Sequence, residues 1–92
     1  MAGAVDAWIA RISSLATRAE AEPDFNVSAQ TPRLLQDART QAIAMGRDDR
    51  KSFLEGVGCG LKMLAKNASG HKAEILNSFA VIFFTAAKGL SS

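Results

Sequence analysis

The sequence predicts an all-α protein, a compact four-helix bundle in which the third and fourth helices are central. Apolar residues recur at helical spacing in four segments, and no stretch has the alternation of a β-strand. Ala is abundant, whereas the chain has 2 Pro and 0 Tyr, a composition that favours helix over sheet. Its 92 residues fit a single helical domain, residues 1–92. The predicted helices span about 3–21, 32–45, 49–67 and 71–88, with a linker at 22–31.

The first helix has one apolar stripe. At 100° per residue its apolar side chains fall within an arc of about 120°, as in a surface helix that buries one face. Pro23 disfavours helical geometry at Glu22, so the helix ends just before this pair. The residues of the stripe are Val5, Trp8, Ile9, Ile12, Leu15, Ala16 and Ala19.

The second helix is predicted to begin at Pro32. Thr31 is a suitable N-cap, and proline is favoured at the first helical position because its ring already fixes the helical φ angle. Phe25, in the linker, is expected to fold back onto the core. Gly46 is expected at the C′ position, where glycine commonly ends a helix.

The third helix has an unusually wide apolar arc, from Cys59 round to Leu54, so we expect it to contact two neighbours. Asp48 or Asp49 can cap its N-terminus. Gly58 falls on the narrow polar strip among the lysines, so packing does not explain it there. Glycine in a helix interior costs about 1 kcal/mol relative to Ala.

Two other glycines of this helix, Gly56 and Gly60, lie four residues apart on its apolar face. One interpretation is a close helix crossing, against Ala80 and Ala87 of the fourth helix. A second is a groove for a small ligand or a partner, and a third is a break that splits the helix in two. The groove would be formed by Phe53, Gly56, Gly60 and Met63.

The chain offers little for catalysis or metal binding. Its only cysteine, Cys59, is expected to behave as a small buried hydrophobe at the edge of the apolar arc. His71, the only histidine, lacks a third residue at a recognisable spacing that would orient it towards a nucleophile. One Cys and one His cannot complete a tetrahedral metal site. We therefore predict no enzyme activity, no catalytic residues, no metal site and no cofactor.

Basic residues of the third helix suggest nucleic-acid binding as an alternative function. They could follow a phosphate backbone, although a solvated helix face, partly neutralised by Glu55, is the better explanation. A helix-turn-helix motif does not fit, because Gln41, Arg47 and Ser52 occupy positions that the motif requires to be apolar. The candidate phosphate contacts are Arg47, Arg50, Lys51, Lys62 and Lys66.

The fourth helix carries the strongest functional signal. Val81 and Phe84 lie off its apolar stripe, one turn apart, and form a patch beside Lys88. Either this patch binds a partner, or another part of the chain such as the Phe25 linker covers it. We predict a small non-enzymatic protein–protein interaction module, such as a regulator, adaptor or accessory subunit. Its partner would be a second copy in a homodimer, or another chain.

The sequence also suggests where the protein acts. The first residues lack the positive charge and continuous apolar run of a signal peptide, and one cysteine fits a reducing compartment. The most apolar run, Phe79–Ala87, is about half the length needed to cross a bilayer. We therefore expect a cytoplasmic protein with no membrane partner.

Overall fold

A computed structural model describes residues 2–91 of the chain, and within this range it confirms the predicted all-α bundle. The four helices are α1 (Ala2–Ala21), α2 (Val27–Ala44), α3 (Arg47–Lys66) and α4 (Gly70–Ser91). Short connections join them, and α3 and α4 make the most extensive contact of any pair. The bundle measures 39 × 25 × 22 Å.

The second helix begins five residues earlier than predicted, so the linker is only 22–26. The carboxamide oxygen of Asn26 accepts a hydrogen bond from the backbone N–H of Ala29, at 3.4 Å, which makes Asn26 the N-cap. Pro32 therefore lies inside the helix. Thr31 is not a cap either, and its hydroxyl donates to the carbonyl of Val27 at 3.1 Å. The prediction failed because Asn is as good a cap as Thr and precedes the proline.

The turn between α2 and α3 centres on Gly46, which has a φ of 94°. This left-handed region favours glycine, so Gly46 ends α2 as predicted. The same residue occupies the N-cap position of α3, and the prediction of an aspartate cap was wrong. Asp48 and Asp49 lie in the first turn, where their charges still suit the positive end of the helix dipole.

The buried face of α3 is rotated relative to the predicted one. The helix is continuous from Arg47 to Lys66, so Gly58 does not break it. Cys59 is exposed rather than buried, and Met63 is 67% exposed. The buried face lies further round the helix and consists of Phe53, Leu54, Val57, Gly58, Leu61 and Ala65.

One hydrophobic core lies between the four helices. Large side chains come mainly from α1, α3 and α4, and the rings of Trp8 and Phe83 approach with centroids 6.1 Å apart. In contrast, α2 buries only Leu34, Ala38 and Ala42. Because two of these are alanines, α2 contributes little apolar area to the core and is the most weakly anchored helix.

Candidate protein-interaction site

The outer face of α4 carries Val81 at its centre. On a helical wheel, Val81 points about 170° away from the middle of the buried stripe of α4. It is 60% exposed, and it lies close to the midpoint of Gly70–Ser91. Lys88, two turns further along, is also exposed. The predicted anchor and its basic neighbour therefore share one solvent-facing surface.

Phe84, the second predicted anchor, is half-buried because it lies against Gly58 of α3. A Cβ atom built on Gly58 would be 3.0 Å from Cζ of Phe84, which is closer than most real Cβ contacts. The prediction that Gly58 faces solvent was thus wrong, since the Phe84 ring covers it. The cover on Phe84 comes from α3 and not from the Phe25 linker. Phe84 forms one edge of the outer face, and Val81 forms its centre.

On the opposite edge of Val81, α4 and α2 leave an apolar groove. Leu35 and Arg39 line it from α2, and a cavity of about 430 Å³ lies between the helices. A second cavity, of about 380 Å³, lies towards the start of both helices, and Ile82 lines both cavities. The α4 residues that line the first cavity are Val81, Ile82, Thr85, Ala86, Gly89 and Leu90.

The groove predicted on α3 is occupied by α1. A Cβ built on Gly56 would lie 3.3 Å from a methyl group of Val5, and one on Gly60 would lie 3.0 Å from Cγ1 of Ile9. These glycines therefore allow a close helix approach, but to α1 and not to Ala80 and Ala87 of α4. The two predicted walls are separated as well, because Phe53 is 0% exposed and Met63 is 67% exposed.

Four of the five predicted phosphate contacts lie on the surface of α3. Arg47, Lys51, Lys62 and Lys66 are exposed and fall within an arc of about 100° on the helical wheel. Lys51 is paired with Glu55 at 3.9 Å, which partly neutralises this arc. Arg50 is half-buried, and its guanidinium Nε donates to the carbonyl of Gly46 at 3.3 Å.

Reactive side chains are dispersed over the described residues. Cys59 lies seven residues before Lys66, the last residue of α3, which is about 10 Å along the helix axis. His71 follows in the next helix, beyond that end of α3. The imidazole Nδ1 of His71 lies 3.7 Å from the carboxylate of Glu74, on the same exposed turn. Within residues 2–91, no group of three or more His, Cys, Asp or Glu side chains could hold a metal ion.

By length and composition alone, α4 is also the one described helix that could cross a membrane. Its segment Gly70–Leu90 has a mean hydropathy of 1.3, and 33% of an 18-residue stretch of this segment is buried. Core helices of soluble proteins pass the same test, so the length and composition of α4 are weak evidence for a membrane span. The half-buried residues Ile82, Phe84, Ala86 and Leu90 still pack against the core, so the exposed apolar surface of α4 is concentrated at Val81.

Sequence reasoning missed a polar cluster that joins α1 to α2. The indole Nε1 of Trp8 donates to the side-chain oxygen of Gln41 at 2.7 Å. Arg11 lies over the Trp8 ring, 4.6 Å from its centroid, and pairs with Asp37 at 3.2 Å. One signal could have revealed it: a buried Trp needs an acceptor for its N–H, and Gln41 lies one turn after Asp37.

Comparison of the chain with protein-family models, with curated proteins and with solved structures gave no match.

Proposed function

We propose that this protein is a small non-enzymatic interaction module that binds a protein partner through the outer face of α4 and the adjoining α2–α4 groove. The observation that carries the proposal is the position of Val81, a large apolar residue 60% exposed in the middle of this face. Complete burial of a Val side chain stabilises a complex by about 1.5–3 kcal/mol, and most of this remains to be gained at Val81. Its half-buried neighbours Ile82 and Phe84 extend the apolar centre to both sides.

The arrangement has the anatomy of an interface. Polar residues that can form the rim, Asn77, Thr85 and Lys88, lie around the apolar centre. The groove beside α4 gives a partner helix a concave surface lined by Leu35 and Leu90. Recognition would therefore use one helix face against another, the mode in which an amphipathic helix lies in an apolar groove.

The cytoplasm remains our proposed location. Exposed free thiols persist as thiols in reducing compartments, and Cys59 is an exposed free cysteine. The proposal requires only binding.

Site-specific photo-crosslinking in cells tests the proposed surface. A benzoylphenylalanine at position 81 should give covalent adducts of defined mass, whereas the same group at Ile43 should not. Ile43 is a matched control, because it is an apolar residue 54% exposed on another helix. Equal adduct yields at the two positions, or none at position 81, would contradict the proposal.

The nucleic-acid alternative rests on the exposed arc of Arg47, Lys51, Lys62 and Lys66. Such an arc offers contacts to phosphate groups alone, so the affinity for nucleic acid would fall steeply as the salt concentration rises. Titration of labelled DNA and RNA at low and high salt tests it. Saturable binding at low salt that Lys62→Glu weakens would favour this alternative over the protein interface.

A further inference from the structure

The outer face of α4 is complementary to itself. Glu74, Val81 and Lys88 are spaced seven residues apart, and seven steps of 100° bring each within about 20° of the last, so the three lie along one line. All three are exposed, and Glu74 has 80% of its side chain accessible. The line thus has an acidic end, an apolar centre and a basic end.

From this pattern we infer that the partner of this face is a second copy of the chain, with the two α4 helices antiparallel and Val81 at the two-fold axis. This inference rests on the proposed function, since it names the partner of the same surface. In a two-fold interface the residue on the axis meets itself, and a residue before it meets the one equally far after it. Glu74 then faces Lys88 of the partner subunit, and the reciprocal pair forms on the other side.

Two exposed polar residues beside the line, about 40° to either side of it, agree with this register. Asn77 and Thr85 lie four residues before and four after Val81, and both are exposed. In the antiparallel pair, Asn77 of one copy lies level with Thr85 of the partner subunit, and both polar side chains stay at the rim of the contact. A parallel pair would instead place Glu74 beside Glu74 and Lys88 beside Lys88, where like charges repel. Charge therefore selects the antiparallel arrangement.

The α2–α4 groove strengthens this choice of occupant. Arg39 lines the groove at the end of α4 that carries Lys88, so this end presents two cations. The acidic end of a second copy, with Glu74, would lie against it. At the centre, Val81 of each copy would cover the half-buried Ile82 and Phe84 at its sides.

Charge exchange tests the inference directly. Sedimentation equilibrium should show that the wild type forms dimers and that Glu74→Lys or Lys88→Glu alone weakens dimerisation about tenfold or more, because attraction becomes repulsion at both ion pairs. The double variant carries the same net charge as the wild type and should dimerise to within about threefold of it. Lys62→Glu, on the exposed arc of α3, is the matched control and should have little effect.

A second measurement tests whether Val81 lies on the two-fold axis of the dimer. In a Cys59→Ser background, Val81→Cys should form a disulfide-linked dimer rapidly under mild oxidation, because residues on a two-fold axis are close to their symmetry mates. Ile43→Cys in the same background is the control. Circular dichroism of every variant verifies that the bundle is folded.

The outcomes separate the inference from the proposed function. A wild type that stays monomeric, or charge variants that dimerise like the wild type, overturns the antiparallel α4 pair. If position 81 then still yields adducts with another protein, the interaction module stands with a different partner. If neither dimers nor adducts form, both proposals are wrong.

Discussion

The two sides of α4 are packed differently. Towards α3, the ring of Phe84 lies on Gly58, and the absence of a side chain on the glycine lets the two helices approach. Towards α2, Ile82 and Leu90 border an open groove of about 430 Å³. The difference arises from the opposing helix: α3 presents a glycine where α4 presents a ring, whereas α2 presents Leu35 and Arg39.

This contrast shows why an apolar residue off the main stripe has no fixed role. Val81 and Phe84 are one turn apart, yet Phe84 is half-buried against Gly58 of α3 whereas Val81 stays 60% exposed. A glycine on the facing helix determines whether such a residue is covered, since Gly58 leaves room for the Phe84 ring. The tight side should therefore respond strongly to substitution, and the open side only weakly.

The largest effect is expected at Phe83, which lies on the core side of α4 and is 1% exposed. Phe83→Ala should lower the free energy of unfolding by about 3–5 kcal/mol, because it leaves a cavity beside Trp8. Urea denaturation followed by circular dichroism measures this. Phe84→Ala is the comparison and should cost less, since half-buried Phe84 loses less contact. Equal losses at the two positions would contradict the distinction between core and edge.

Filling the space under Phe84 should break the tight side. Gly58→Val would bring methyl groups into the ring and should cost about 1–3 kcal/mol through overpacking. The double variant Gly58→Val with Phe84→Ala should recover part of this loss, which a double-mutant cycle measures as a coupling energy. Gly89→Val is the matched control, because a Cβ there would meet nothing within 4 Å. A coupling energy near zero would mean that Phe84 does not depend on the glycine.

On the open side, α2 is held partly by the polar cluster with α1. Gln41→Leu removes the acceptor of the Trp8 indole N–H and should cost about 1–2 kcal/mol, because a part-buried donor is left without a partner. Chemical denaturation gives the loss, and the fluorescence of Trp8, the only tryptophan, reports the local change. Gln36→Leu is an exposed control on the same helix. If both variants were equally stable, the hydrogen bond would contribute nothing to the attachment of α2.

Periodicity was sufficient to predict four helices and the central position of α3 and α4, since burial of an apolar stripe is a local property of each segment. It could not fix which glycine meets which neighbour. On the helical wheel Gly58 falls on the same side as the lysines of α3, but it is buried because the Phe84 side chain of α4 covers it. The start of α2 was missed because Pro32 was a strong but misleading signal beside the cap at Asn26. Val81 was identified correctly as an apolar residue off the stripe, and only the three-dimensional packing separated it from Phe84.

The smallest effect on folding is expected at the centre of the outer face. Val81→Ser, studied at protein concentrations low enough to keep the chain monomeric, should change the free energy of unfolding by no more than about 0.5 kcal/mol, as at most surface positions. At high concentration the same substitution should lower association, because it removes the apolar centre of the contact. Sedimentation across a concentration series measures both regimes in one protein. A loss above about 2 kcal/mol in the monomer would indicate a core residue, and it would remove the reason for assigning this face to a partner.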